Sequence, residues 1–184
     1  MIYLSKGIVC EGSTEERLTI AHCGQEFILT GTEAVVWQNG QFEIGHTREG
    51  WALEHLYRMG LVEYEQEDIA LSRYRILSRC ICCPGKAKGL QRPLKGAQMH
   101  LFIWLTKAGL RLTLAELIYL TEHDILPSEN LLYEHNRQTL VETIYTRETI
   151  EDNILENKME RAFCRDEVVG QLLQLLKRKR LILL

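Results

Sequence analysis

The sequence predicts a mainly α fold with small β-hairpins, an α+β chain of two small domains, and three observations lead there. Apolar residues recur at three- and four-residue spacing along most of the 184 residues, the signature of amphipathic helices. Strand-like stretches are few and short. Residues 84–96 hold two of the three prolines and three of the thirteen glycines, which is the composition of a linker. The expected organisation is therefore a first domain over 1–84, a basic Pro/Gly linker over 85–96 and a second, helical domain over 97–184. With 46% apolar residues and 22 Lys+Arg against 25 Asp+Glu, the chain has a globular balance that excludes disordered, fibrous and low-complexity classes.

In the first domain Ile8-Val9-Cys10 and Phe27-Ile28-Leu29 favour strands, and Ser13-Thr14-Glu15-Glu16 between them suits the start of a helical turn. Residues 31–40 read as a short helix stopped by Asn39-Gly40, because both residues tolerate the left-handed conformation of a helix end. A better helix follows over 47–59. Thr47 can cap it, Trp51, Ala52, Leu53, Leu56, Tyr57 and Met59 keep helical spacing, and Gly60 stands just past its end. The period then changes to two. Leu61-Val62-Glu63-Tyr64 is strand-like, 65–68 is a turn, and 74–82 partly alternates as the returning strand of a hairpin.

These residues carry a resemblance. Leu53-x-x-Leu56-x-x-x-Gly60-Leu61-Val62, followed by a hairpin, resembles the end of the third helix of a winged helix-turn-helix domain running into its wing. The short helix, glycine turn and longer helix before it also resemble the small winged-helix domains that bind peptides in peptide-modifying systems. The resemblance implies a partner that is either DNA or a polypeptide. The exposed positions of the 47–59 helix, Arg48, Glu49, Glu54, His55 and Arg58, are mixed in sign, and Glu49 and Glu54 would repel a phosphate backbone. This half is expected to face a protein or to serve structure alone.

In the second domain residues 97–108 are apolar almost all round, which predicts a helix buried in a core or in a homodimer interface. Thr113-Leu114-Ala115-Glu116 is a capping box that opens the next helix. Pro127-Ser128 starts a long third helix to about residue 145, and two further amphipathic helices follow over 149–163 and 166–177. Leu181-Ile182-Leu183-Leu184 suits an edge strand. Leu172-x-x-Leu175 before Leu181-Ile182 parallels Leu53-x-x-Leu56 before Leu61-Val62, so the second half is expected to repeat the first as a tandem winged-helix-like domain, with Lys177, Arg178, Lys179 and Arg180 in place of the glycine stop.

Charge is uneven along the chain. Residues 1–83 carry a net −5, residues 84–111 a net +6 with no acidic residue, and residues 112–184 a net −4. The middle strip is either a solvated linker or a phosphate contact, and the 177–180 run either complements the negative end of a helix dipole or touches nucleic acid. Asn136-Arg137-Gln138, with Tyr133 and His135 beside it, is the polar cluster best suited to base or phosphate contact.

Enzymatic motifs do not appear. There is no G-x-S-x-G, no P-loop and no G-x-G-x-x-G after a strand, and the six histidines form no i, i+4 ligand pair. Cys80-Ile81-Cys82-Cys83 has the wrong spacing for a structural zinc site, so buried thiols are expected rather than metal, although Cys23 or His22 could supply a fourth ligand. No stretch approaches the roughly 20 apolar residues that span a bilayer. Nothing suggests export, and a cytoplasmic chain with reduced cysteines is expected.

The sequence therefore leads to a non-enzymatic protein without cofactor or metal, and to a DNA-binding transcriptional regulator as first expectation. Lys86, Lys88, Arg92, Lys95, Lys177, Arg178, Lys179 and Arg180 would grip phosphates, and Tyr133, Asn136 and Arg137 on the helix from Ser128 would meet double-stranded DNA. The alternative is a protein- or peptide-binding adaptor, for which the acidic faces of both halves select basic partners.

Overall fold

Tyr3 shows how the first residues build the core. In the computed structural model, which describes residues 1–14, 17–85, 93–107, 112–133, 137–146 and 152–184 (without the side chains of residues 130, 133, 137, 152 and 153), Tyr3 is fully buried. Its hydroxyl donates to the Val36 carbonyl at 2.8 Å, and a Cβ on Gly45 would stand 2.4 Å from its ring, so only glycine fits there.

In chain order the first elements are β1 (Ile2–Ser5), β2 (Ile8–Val9), β3 (Arg17–His22), β4 (Gln25–Thr30), α1 (Gly31–Asn39), β5 (Gly45–His46), α2 (Gly50–Arg58), β6 (Val62–Glu65), α3 (Ala70–Ser78) and β7 (Cys82–Pro84). There follow α4 (Ala97–Lys107), α5 (Leu114–Glu122), α6 (Glu129–Tyr133), α7 (Arg137–Ile144), α8 (Asp152–Met159), α9 (Arg165–Lys177) and β8 (Leu181–Leu183). The fold is α+β. Among the described residues three small antiparallel sheets run β5-β1-β6, β2-β3-β4 and β7-β8. Among the described residues no helix is long and apolar enough to cross a membrane.

One buried cluster joins Tyr3 to Leu18 and Ile20 of β3, Leu29 of β4, Trp37 of α1 and Leu53 and Leu56 of α2. At its edge Lys6 and Glu63 form a nearly buried ion pair at 2.9 Å, and the Trp37 indole donates to the Lys6 carbonyl. The larger cluster gathers Ile2 and Leu4, Tyr74, Ile76 and Leu77 of α3, Cys80 and Cys82, and the inner faces of α4, α5 and α9. The two clusters thus do not divide at residue 84. β7 pairs with β8, matching Cys82 with Leu183 and Pro84 with Leu181, so the two ends of the larger core are stitched together.

Several expectations are corrected. The segment after β6 is not a returning wing strand: β6 pairs with β1, and residues 70–78 form α3. Tyr74 and Ile76 alternate, but Leu77 is buried as well, and the packing of α3 on α9 and β6 favours the helix. Ser13 opens no described helical turn; its hydroxyl accepts the Thr19 N–H and donates to the Cys10 carbonyl, and β3 begins at Arg17. Of the long helix expected over 128–145, the stretches α6 and α7 are seen, and residues 134–136 between them lie outside the described residues. Thr47 does not cap α2 but accepts the Glu49 N–H, one turn ahead of the helix.

Helix ends follow one device three times. Past α2, Gly60 takes φ 73°, its N–H bonds the Tyr57 carbonyl and the Leu61 N–H bonds the Leu56 carbonyl. The same two bonds close α5 with Asp124 at φ 52° and α9 with Lys179 at φ 57°. Lys179 does stand in the place that Gly60 holds in the first half, at the backbone cost a side chain incurs there. The Thr113–Glu116 capping box is complete, and the Tyr145 hydroxyl bonds the same Glu116 carboxylate.

Candidate functional site

The hairpin of β3 and β4 turns through Cys23 and Gly24, both at positive φ (49° and 79°), which is the two-residue turn that matches strand twist. Such a turn makes His22↔Gln25, Ile20↔Phe27 and Leu18↔Leu29 the hydrogen-bonded pairs. On β4 the backbone groups of Phe27 and Leu29 are therefore engaged with β3, while those of Glu26 and Ile28, and the N–H of Thr30, point the other way. On that side β4 has no strand neighbour among the described residues.

Burial follows the same alternation. Leu29 is buried and Phe27 half-buried, whereas Glu26, Ile28 (54% exposed) and Thr30 face solvent. Beside this edge the chain runs straight into α1, which leaves Val35 exposed, and α1 packs on α2, whose Trp51 is 60% exposed. The charged groups of these helices are mixed in sign. Glu33 of α1 bonds His55 of α2, Glu54 bonds Arg58 and receives the Tyr64 hydroxyl, and Glu49 lies exposed before α2. The result is an open strand edge with exposed apolar side chains and carboxylates nearby.

The basic residues stand elsewhere. Lys86, Lys88, Arg92 and Asn136 lie outside the described residues, as do the side chains of Tyr133 and Arg137. Lys95 is exposed. The terminal basic run is engaged within the chain: Lys177 pairs with Glu43 at 2.9 Å, Arg178 donates to Gln98 at 3.2 Å, Lys179 sits 4.9 Å from the Phe42 ring centre and Arg180 lies 5.5 Å from that of Phe102. These contacts bind the end of α9 to the 42–43 turn and to α4.

Neither a protein-family model, nor a curated protein, nor a solved structure gives a significant match to the chain.

The sulfur cluster takes no part in it. Cys80 and Cys82 are buried, and Cys80 Sγ donates to the Ile76 carbonyl. Burial raises both thiols, Cys82 to about 12, so they stay protonated at neutral pH and make poor metal ligands. His22 and Cys23 sit on the β3–β4 turn, and burial with the Lys6 charge lowers the His22 pKa. Among the described residues no group of three or more His, Cys, Asp or Glu side chains is placed to hold a metal ion.

The sequence marks a strand at 27–29 but not its open side. Phe27-Ile28-Leu29 is an unbroken apolar run, so the outward position of Ile28 carries no signature of its own. The one available signal was Cys23-Gly24, a weak relative of the Asn-Gly hairpin turn.

Proposed function

We propose that the chain is a non-enzymatic docking module that takes up an extended, basic polypeptide segment as a fourth strand beside β4. The observation that carries this is the row of Glu26, Ile28 and Thr30, whose backbone groups face away from β3 with no strand beyond them. Unpaired strand edges are templates for strand addition, in which main-chain bonds give affinity and alternate side chains give selectivity. Glu26 on the strand and Glu49 ahead of α2, both exposed and without an ion-pair partner among the described residues, favour positive charge in the partner.

The second reading is a DNA-binding transcriptional regulator of the winged-helix type. It draws support from the net +6 of residues 84–111 and the exposed Lys95. Against it stand the internal partners of residues 177–180 and the carboxylates around α2, which repel phosphate.

Fluorescence anisotropy of a labelled octapeptide alternating Lys and Val tests the proposal, with a Glu/Val octapeptide and a random-sequence duplex as controls. The Lys/Val peptide is expected to bind saturably and the Glu/Val peptide is not. Ile28→Pro, which removes the outward N–H without touching the β3–β4 ladder, is expected to abolish binding, whereas Ile28→Thr, which keeps the N–H, is expected to retain it. Equal binding by Ile28→Pro overturns strand addition, and duplex binding that falls steeply with salt favours the regulator instead.

A further inference from the structure

The link between α8 and α9 leaves the Phe163 ring fully exposed, although a buried aromatic side chain removes roughly 150–250 Å² from water. Its backbone is nonetheless held. The Phe163 N–H donates to the Glu122 carboxylate at 3.4 Å and the Cys164 N–H at 3.1 Å, which seats the residue beside the carboxyl end of α5. The same end of α5 borders a cavity of about 100 Å³, which α4 and the first turns of α9 complete. Leu101, Trp104 and Val168 line this cavity and are buried, while Leu126 (59% exposed), Asp124 and Glu167 line it from exposed positions. Charge divides in the same way. Arg161, two residues before Phe163, is exposed and has no ion-pair partner among the described residues, and neither Asp124 nor Glu167 has one.

We propose that this face pairs with a second copy of the chain about a two-fold axis, the Phe163 ring of each copy entering the cavity of the other and Arg161 meeting the partner's Asp124 and the partner's Glu167. A closed apolar cavity of about 150 Å³ takes benzene, so a smaller one that is open at its mouth takes a single ring inserted from outside. Charge complementarity selects a second copy as the occupant: the cavity calls for an apolar group with a cation beside it, and the chain presents that pair itself, two residues apart. Ring and cavity both adjoin the carboxyl end of α5, so one face carries both and the association closes at two chains. On separate faces they would build an open chain of copies instead. The assignment is independent of strand addition at β4.

The test is sedimentation equilibrium of the full chain up to about 500 μM, where a monomer–dimer equilibrium with a dissociation constant of about 10–100 μM is expected, the weak range of a small interface. Phe163→Asp is expected to weaken the dimer more than about a hundredfold, because two rings are lost at once, and to leave the unfolding midpoint of the dilute chain unchanged, because the ring is fully exposed. Arg161→Glu is expected to weaken it roughly tenfold, and adding Glu167→Arg, which restores opposite charges across the axis, to regain most of that loss. In an equal mixture of ¹³C-labelled and unlabelled chain, intermolecular NOEs are expected from the Phe163 ring to the Leu101 and Val168 methyl groups. A single-chain mass at about 500 μM overturns the pairing. So does a mass above two chains, a dimer that Phe163→Asp leaves unchanged, a loss that Glu167→Arg does not regain, or the absence of NOEs into the cavity.

Discussion

Lys6 and Glu63 meet at 2.9 Å with about a tenth of each side chain exposed, and each is tolerable there only because of the other. Replacing Lys6 by Met leaves Glu63 buried and unpaired, which is expected to destabilise the fold by about 3–5 kcal/mol in urea titration. Adding Glu63→Leu is expected to recover most of that loss, because a well-packed apolar pair needs no desolvation of charge. Cys23 makes the opposite case. It holds φ 49° on an exposed turn, a conformation that Asn adopts readily, so Cys23→Asn is expected to raise stability by about 0.5–1 kcal/mol. A fall in the unfolding midpoint of Cys23→Asn would contradict the turn assignment. A lysine at position 6 carries no sign in the sequence that its partner is 57 residues away.

At the scale of elements, helix ends decide more than helix middles. Glu122 closes α5 and receives the N–H groups of Phe163 and Cys164 at the entry to α9, at 3.4 and 3.1 Å. Hydrogen bonds from the Cys164 thiol and N–H hold its carboxyl below the usual carboxylate range. A lowered folded-state pKa gives stability that is complete above the ordinary value of about 4.3 and is lost as pH falls through the lowered one. Glu122→Gln is thus expected to cost about 0.5–1 kcal/mol at pH 7, a difference that persists to about pH 5 and shrinks below about pH 4. A pH-independent difference between the two proteins would show that the charge is irrelevant to the cap. The capping box at Thr113 and the stops at Gly60 and residue 179 were legible because capping chemistry is local. The segment 70–78 was not. Its residues satisfy both a two-residue and a helical period, and its conformation is set by α9, some ninety residues on.

Across the whole molecule, the two buried clusters share β1: Ile2 and Leu4 face the larger one, Tyr3 the smaller. The last strand ties both lobes, because the Gly7 N–H donates to the Leu183 carbonyl at 2.8 Å while β8 pairs with β7. Removing residues 181–184 deletes the buried Leu181 and Leu183 and is expected to destabilise the chain by about 4 kcal/mol or more. Trp37 and Trp104, one in each cluster, are expected to report a single coincident unfolding transition in the intact chain; separated transitions would mean that the lobes fold independently. The α+β class, most helices and the final edge strand could be read from periodicity. The sharing of β1, the internal partners of the 177–180 run and the open side of β4 could not, since each depends on residues distant in sequence.

Amide hydrogen exchange across β4, with and without a saturating Lys/Val octapeptide, tests strand addition most directly. Phe27 and Leu29 are expected to be protected in the free chain, and the peptide is expected to add protection at Glu26, Ile28 and Thr30 alone. Unchanged exchange at those three amides on saturation with the peptide, or protection of α2 by duplex DNA in its place, would contradict a docking module built on this edge.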